Sequence, residues 1–242
     1  MARWWIGFGT DSFCLITMKR EVTNNEGQIV TPNYLVHEEK YQQARAKGWP
    51  GWGGPERMAR ENIWLDRLFS CPSVPAQGKV LELGCGEGHY ARLLAKQGYT
   101  VTGVDVSPTA VAWAIEKTAQ SGVSVTYHVA DLTQPNLLPG ESFDLIVDGN
   151  CLHCIIGADR AQFLGNVFRL LQAGGLFFVS SLCSKTAVAQ TLQFQDRPYR
   201  YLPTPTQLQT ELETAGFQIQ QFVLHENQKH NHCTAHLLKL QS

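Results

Sequence analysis

One stretch, residues 79–107, constrains the fold of this chain more than any other. Its pattern predicts a strand at residues 80–83, a turn with three glycines, a helix at about residues 90–97, and a second strand that ends on Asp105. Glycines at a strand-to-helix turn let the backbone approach a ligand, because no Cβ stands in the way. The first helical turn offers unpaired N–H groups, and an acid that closes the second strand is the usual partner of a ribose diol. The stretch therefore predicts a site for a nucleoside-containing cofactor.

The spacing of the glycines narrows the kind of cofactor. A dinucleotide site has the pattern G-x-G-x-x-G, whereas here Gly88 follows Gly86 by only two residues. Glu82 and Glu87 would repel a pyrophosphate but not a ligand that carries a sulfonium or an amine. Together, E-L-G-C-G-E-G and Asp105 resemble the first motif and its acidic partner in the class I S-adenosylmethionine-dependent methyltransferases.

This resemblance implies a set of cofactor-binding residues. Asp105 would bind the ribose hydroxyls, Asp131 the adenine amino group, and Leu132 the adenine ring; a helix cap and a turn cap are the alternatives for the two acids. Glu82 would order the amino-acid end of S-adenosylmethionine, and Tyr90 would contact its carboxylate unless it is a core aromatic. The candidate cofactor-binding residues are Trp52, Glu82, Gly84, Cys85, Gly86, Gly88, Tyr90, Asp105, Val106, Ser107, Asp131, Leu132, Asp148 and Asn150.

The order of the predicted elements indicates an α/β fold. Strands and helices alternate from residue 79 onward, whereas the last two strands, at residues 217–224 and 234–240, have no helix between them. Repeated β/α crossovers require a parallel sheet with helices on both faces, and the final pair should be antiparallel. The resemblance implies seven strands in the order 3-2-1-4-5-7-6. We expect a methyltransferase domain at residues 76–242, preceded by an extension and helical cap at residues 1–75.

Several local patterns give more specific predictions. Ser107 and Pro108 are typical of a helix start, and a later helix is predicted to stop at Gly174-Gly175. Thr204 and Gln207 form a capping-box pattern. The buried face of the helix after Ser107 is predicted to comprise Val111, Ala112, Ile115 and Ala119.

The N-terminal quarter is harder to interpret. Residues 34–70 are predicted to be helical with a break at residues 48–55, where Trp49 and Trp52 with Tyr41 either roof the cofactor site or anchor the segment to the domain. Short strands are expected near residues 4–8 and 13–18, followed by a turn at residues 24–27. For residues 1–30, an extension without function is preferred to a lid or dimer contact.

The acceptor side is indicated only by a loop and a later segment. The sequence D-G-N-C-L-H-C follows the fourth strand and lacks the Asp/Asn-Pro-Pro-aromatic motif of enzymes that methylate bases or side-chain amides. Its L-H-C run resembles that of small-molecule and ubiquinone-type relatives. His153 is a candidate general base, with helix packing as the alternative, and Tyr199 is a candidate for the acceptor pocket. Arg197 and Arg200 hint at an anionic group on the acceptor.

Bulk properties exclude other functional classes. A net charge of −1 argues against nucleic acid as a partner, because a phosphate backbone requires a basic surface. Seven scattered cysteines without a secretory signal predict reduced thiols and a cytoplasmic protein, and no apolar run is long enough for a membrane span. One C-x-x-C pair without further ligands predicts no metal site.

The sequence therefore predicts SN2 transfer of a methyl group from S-adenosylmethionine to a small-molecule acceptor, by a monomer or a homodimer. Two alternatives remain. One is a non-catalytic module that binds S-adenosylmethionine for regulation, and the less favoured one is an NAD-dependent oxidoreductase.

Overall fold

The computed structural model describes residues 21–24, 27–55 and 61–241. A seven-stranded sheet forms its centre, with the order β5-β4-β3-β6-β7-β11-β10. The five strands from β5 to β7 are parallel, whereas β11 is antiparallel to both of its neighbours. This is the predicted order 3-2-1-4-5-7-6 with its antiparallel ending. The strands of this sheet are β3 (Lys79–Leu83), β4 (Thr100–Asp105), β5 (Val125–Val129), β6 (Phe143–Asp148), β7 (Leu171–Cys183), β10 (Gln218–His225) and β11 (Asn231–Leu238).

Helices cover both faces of the sheet. Neighbouring residues of β3 and β7 bury their side chains on opposite faces, so that Leu81 and Phe177 belong to one apolar cluster, and Val80 and Phe178 to another. A parallel sheet buried on both sides therefore reads as a continuous apolar run. The described helices are α1 (Val36–Ala46), α2 (Glu61–Leu68), α3 (His89–Lys96), α4 (Pro108–Ala119), α5 (Asp159–Leu170) and α6 (Pro205–Thr214).

The strand–turn–helix–strand prediction at residues 79–107 is confirmed. Strand β3, helix α3 and strand β4 lie within one or two residues of the predicted bounds, and Asp105 is the last residue of β4. Ser107 caps α4, since its Oγ accepts a hydrogen bond from the backbone N–H of Ala110 at 3.0 Å. Thr204 and Gln207 form the predicted capping box of α6.

The predicted buried face of α4 is wrong except at Val111. Ala112 and Ala119 are exposed, and Ile115 is 54% exposed. Because apolar residues occur on nearly every side of this helix, their periodicity does not define one face. The neighbours of α4 decide which side is buried, since it packs on β4 and β5 and also on α1. The residues buried in α4 are Ala110, Val111, Trp113, Ala114 and Thr118.

The predicted helix stop at Gly174-Gly175 is also wrong. Helix α5 ends at Leu170, and both glycines lie inside the long strand β7. Lys239 replaces a glycine cap, because its Nζ donates to the carbonyls of Phe168 and Leu171 at 2.7 and 2.8 Å. Its backbone also pairs with both glycines, which extends the sheet.

A second hairpin, formed by β8 (Gln190–Phe194) and β9 (Arg197–Leu202), was not predicted. Its turn residues Gln195 and Asp196 adopt positive φ angles of 51° and 57° without glycine or asparagine. The usual turn signal is therefore missing.

The described part of the N-terminal segment has helices on both sides of the predicted break, and β1 (Val22–Thr23) pairs antiparallel with β2 (Ile29–Val30) on either side of the predicted turn. The N–H of Gly27 donates to the carbonyl of Asn24 at 3.0 Å, whereas residues 25–26 of this turn lie outside the described residues. The strands expected near residues 4–8 and 13–18 lie outside the described residues. In the described ranges, every helix is too short or too polar to cross a bilayer.

Helix α1 is fixed to the start of α4. The Glu38 carboxylate accepts hydrogen bonds from Ser107 Oγ at 2.5 Å and from the backbone N–H of Thr109 at 3.2 Å. Arg45 forms an ion pair of 2.8 Å with Glu116. Helix α2 shares an apolar cluster with β3 and α3, so the core continues across residue 75. The proposed division into a cap and a catalytic domain stays a prediction.

Candidate functional site

A cavity of about 660 Å³ lies at the carboxyl edge of the parallel strands. Open α/β sheets bind their ligands at this edge, and the volume is typical of small-molecule sites, which span about 300–1,000 Å³. A smaller cavity of about 50 Å³ adjoins it at the glycine turn.

The two cavities separate the predicted site residues into three groups. Those that line the larger cavity are Trp52, Gly84, Tyr90, Asp105, Val106, Asp131, Leu132, Asn150 and His153. Those that line only the smaller cavity are Glu82, Cys85 and Gly86. Those that line neither are Gly88, Ser107, Asp148 and Tyr199.

Asp105 both holds the glycine turn and lines the larger cavity. Its Oδ2 accepts from the backbone N–H of Gly86 at 2.8 Å, and its Oδ1 accepts from that of Ser107 at 2.9 Å. Burial raises the pKa of Asp105 to about 6, although these backbone donors act in the opposite direction. Each carboxylate oxygen has a further lone pair, so Asp105 can also accept from the hydroxyls of a ligand.

The glycines of the turn serve different purposes. A Cβ on Gly86 would collide with the hydroxyl of Tyr41, which lines both cavities. A Cβ on Gly88 would instead collide with the hydroxyl of Tyr127 and lie 3.0 Å from Ala114 Cβ. Gly86 therefore shapes the ligand side of the turn, whereas Gly88 permits helix packing.

Asp131 forms the turn cap that the sequence left as an alternative. Its Oδ1 accepts from the backbone N–H and the Oγ1 of Thr133 at 2.8 and 2.7 Å, and its Oδ2 accepts from Gln134 Nε2 at 3.3 Å. Asp131 and Leu132 nevertheless line the larger cavity. Their contact with adenine stays a prediction.

Glu82 is a buried carboxyl group with an unused oxygen. It is 1% exposed, and its Oε2 has no hydrogen-bond partner in the described part of the chain. Burial, and secondarily the charge of Glu87, raise the pKa of Glu82 well above its usual value. An unsatisfied buried oxygen at a cavity wall indicates that a ligand donor completes the site.

Asp148 organises the loop after β6 without lining either cavity. Its Oδ1 accepts from the backbone N–H groups of Cys151 and Leu152 at 2.7 and 3.1 Å, and burial raises its pKa to about 6. The loop residue Asn150 lines the larger cavity, where its Oδ1 lies 3.0 Å from His232 Nε2. Asp148 thus fixes the conformation of the loop, and Asn150 is a candidate residue of this loop segment that reaches the cavity.

Besides His232, two other histidines line the larger cavity, His153 and His37. The backbone N–H of Leu182 donates to His153 Nδ1 at 3.5 Å, which places the proton of a neutral His153 on Nε2. The other, His37, was missed in the sequence. Its Nδ1 donates to the carbonyl of Tyr34 at 3.2 Å, and its Nε2 lies 3.5 Å from Cys154 Sγ.

The surroundings of His37 keep it neutral. Burial, with smaller effects from Arg200 and Lys40, lowers the pKa of His37 to about 4. Near neutral pH its Nε2 therefore carries a lone pair, which faces the Cys154 thiol at 3.5 Å, and both residues line the cavity. No local pattern could have identified His37, because Cys154 is 117 positions away.

Of the arginine, tyrosine and tryptophan residues that the sequence analysis named for this site, some line a cavity and others do not. Arg200 lines the larger cavity, whereas Arg197 is exposed and donates to the carbonyl of Pro32 at 3.3 Å. Tyr199 lies behind Arg200, with its ring centroid 5.1 Å from the guanidinium carbon. Trp52 lines both cavities, but Trp49 lines neither and is 39% exposed. Within the described ranges, no three His, Cys, Asp or Glu residues are grouped to hold a metal ion.

Comparisons with known proteins agree with this geometry. A family model described as "Methyltransferase domain" matches residues 81–179. The chain is 30% identical over 211 residues to a ubiquinone biosynthesis O-methyltransferase of Xanthomonas axonopodis pv. citri, a match that covers 81% of this chain and 87% of the relative.

Two solved structures share the fold. The CcbJ methyltransferase of Streptomyces caelestis superposes with a TM-score of 0.65 at 19% identity, over 86% of this chain and all of that chain. The glycopeptide N-methyltransferase MtfA, crystallised with S-adenosylmethionine, gives a TM-score of 0.58 at 19% identity, over 75% and 93% of the two chains.

The residues present fit this cofactor. Asp105 can accept from the ribose hydroxyls, and the absent side chain of Gly86 leaves room for close approach. Glu82, whose Oε2 has no partner among the described residues, lines the adjoining cavity. Because the relative is matched over most of its length and the sheet has the corresponding strand order, the chain belongs to the class I S-adenosylmethionine-dependent methyltransferases.

Proposed function

We propose that this methyltransferase acts on a small-molecule acceptor, and that the cavity of about 660 Å³ is its active site. One observation carries the proposal. The same cavity is lined by Asp105 and Asp131 from the strand ends and by His37, Cys154 and Arg200, which lie away from the glycine turn. Cofactor and acceptor groups can therefore meet in one cavity.

The strand-edge residues would hold the cofactor. Asp105 would bind the ribose, Asp131 and Leu132 the adenine, and Glu82 the amino group. Tyr90 and Arg67 line the same cavity and would bind the carboxylate. When bound, S-adenosylmethionine supplies a methyl group on a positively charged sulfur, which an acceptor nucleophile takes in a single displacement. Buried acids at this end favour such a cationic ligand.

His37 would accept the proton that the acceptor loses. Its Nδ1–H is held by the Tyr34 carbonyl, so the unprotonated Nε2 is the acceptor of hydrogen bonds. A neutral imidazole within hydrogen-bond reach of a hydroxyl or amine can remove its proton. We assign this role to His37 in preference to His153, because the Nδ1 of His153 accepts from a backbone N–H, which leaves the proton of the neutral ring on its Nε2. The Nε2 of His37 contacts the thiol of Cys154, at 3.5 Å, and an acceptor hydroxyl or amine would have to displace that contact.

The N-terminal segment would exclude water from the reaction. The ring of Trp52 lies 5.0 Å from that of Tyr41 and 5.5 Å from that of His37. These three rings form part of the cavity wall. Exclusion of water and alignment are the main contributions that a protein can add when the cofactor is already activated.

Calorimetry and a transfer assay test the proposal. The purified protein is expected to bind S-adenosylhomocysteine, and to transfer labelled methyl from S-adenosylmethionine into a metabolite extract. Binding without transfer to any extract would favour the regulatory alternative. Binding of a nicotinamide cofactor instead of S-adenosylhomocysteine would refute the proposal.

A further inference from the structure

Two cations lie near each other beside the larger cavity, and of the two only Arg200 lines it. The Lys40 ammonium is 5.2 to 5.6 Å from the ring centroids of Phe194, Tyr199 and Trp52. The Arg200 guanidinium is 5.1 Å from the same Tyr199 ring and lines the cavity. Burial, and then the neighbouring Arg200, lower the pKa of Lys40, as expected for two like charges in an apolar setting.

Neither cation has an acidic partner among the described residues. The Nε of Arg200 is buried and has no hydrogen-bond partner there. The buried Arg160 is different, because Glu211 accepts from its Nε and Nη2 at 2.6 Å each. Arg200 as a whole is half-buried, but a buried donor without an acceptor is costly, so its unpartnered Nε indicates that a ligand supplies the missing acceptor.

The carboxylates around the cavity do not pair with these two cations. Asp105 and Asp131 lie at the strand edge, where the cofactor is proposed to bind. Asp159 is 1% exposed and accepts a hydrogen bond from Tyr34 at 2.9 Å. Among the described residues, none of these three carboxylates forms an ion pair with Arg200 or Lys40.

We infer that the acceptor of this methyltransferase carries an oxyanion group, a carboxylate or a phosphate, which Arg200 and Lys40 bind. The inference rests on the proposed function, since it names the class of molecule that occupies the second half of the same cavity. A guanidinium edge can donate two parallel hydrogen bonds to such a group. The anion would also offset the repulsion between the two cations.

The test compares charged and neutral probes of equal shape. Protein saturated with S-adenosylhomocysteine is titrated in a calorimeter with benzoate and benzamide, phenylacetate and phenylacetamide, and phenyl phosphate. We expect at least one oxyanion to bind about tenfold or more tightly than its amide, or phenyl phosphate to exceed both amides by that factor. Arg200→Gln should remove the preference, and Lys40→Gln should weaken it.

Arg197→Gln is the matched control. This arginine lies three positions away on the same strand, is exposed, and contacts only a backbone carbonyl. The preference for oxyanions should survive its loss. Arg200→Lys, which keeps the charge, should retain part of the preference and distinguishes loss of binding from loss of structure.

The outcomes separate this inference from the proposed function. Failure to bind S-adenosylhomocysteine would refute the proposed function itself. Normal binding of S-adenosylhomocysteine with no oxyanion preference in any pair would overturn only the inference. A preference that persists undiminished in folded Arg200→Gln protein would equally overturn it, because the anion would then bind elsewhere.

Discussion

Replacing Asp105 with asparagine tests the cofactor site most directly. In the wild type, the two carboxylate oxygens of Asp105 accept from the backbone N–H groups of Gly86 and Ser107. The substitution keeps the shape of the side chain but removes its charge and one of these two acceptor oxygens. Hydrogen bonds to a charged group contribute about 1.5–3 kcal/mol each. The loss of two such bonds to ribose hydroxyls would cost about 3–6 kcal/mol, so the Kd for S-adenosylhomocysteine should rise about 10²–10⁴-fold.

The pH dependence gives a second, independent measure. Because the pKa of Asp105 in the free protein is raised to about 6, the carboxyl group is protonated below that pH and must lose a proton before it can accept both ribose hydroxyls. Affinity should thus be constant above pH 7 and fall by about tenfold at pH 5. The affinity of Asp105→Asn should not show this fall between pH 7 and pH 5, because the titrating carboxyl group is absent.

Isothermal calorimetry at pH 7.5 and pH 5 measures both effects. Asp148→Asn is the control, because the pKa of Asp148 is also raised to about 6 but its side chain lines neither cavity. Whatever its affinity for S-adenosylhomocysteine at pH 7.5, Asp148→Asn should still bind this ligand about tenfold more weakly at pH 5, because Asp105 is intact. Unchanged affinity of Asp105→Asn at pH 7.5, with the fold intact by circular dichroism, would refute the ribose assignment.

Three further predictions follow from the described contacts. Gly86→Val should abolish binding of S-adenosylhomocysteine, because its side chain would enter the ligand side of the turn; Gly98→Val, at a similarly positive φ of 96° with open space around it, should destabilise the fold but leave the Kd unchanged. His37→Asn should lower kcat. Between pH 7.5 and pH 5 the free energy of unfolding of this variant should also fall less than that of the wild type, which denaturant unfolding at the two pH values measures. The pKa of His37 is about 4 in the folded protein, below its value of about 6.5 in the unfolded chain. The folded state is therefore not penalised above about pH 6.5, and it loses stability as the pH falls towards 4, by about 1–2 kcal/mol at pH 5. Arg160→Met should destabilise the protein by about 1–3 kcal/mol, because Glu211 and the carbonyls of Leu152 and Ile155 would lose their donor; an unchanged unfolding midpoint in urea would contradict this.

The relative positions of the proposed cofactor-binding residues around the glycine turn were predictable because these residues are local in the sequence. Glu82, Gly86 and Asp105 fall within one strand–turn–helix–strand unit, and the connection fixes their relative positions. A parallel pair with a right-handed crossover leaves little freedom for where such a turn can lie. The same reasoning failed for Ile115, because an apolar helix has no face of its own until its neighbours are in place.

The sequence by itself determined the α/β class, the antiparallel final pair, the position of the glycine turn and the acid that closes β4, and its resemblance to known methyltransferases implied the order of the sheet. Only the tertiary structure decided the acceptor half, which brings together His37 from α1, Cys154 from the loop after β6 and Arg200 from an unpredicted hairpin. The same distinction separates Arg200, which lines the cavity, from Arg197, which does not. The physical reason is that periodicity and turn chemistry act over a few residues, whereas the contacts of this half join segments more than 40 positions apart along the chain.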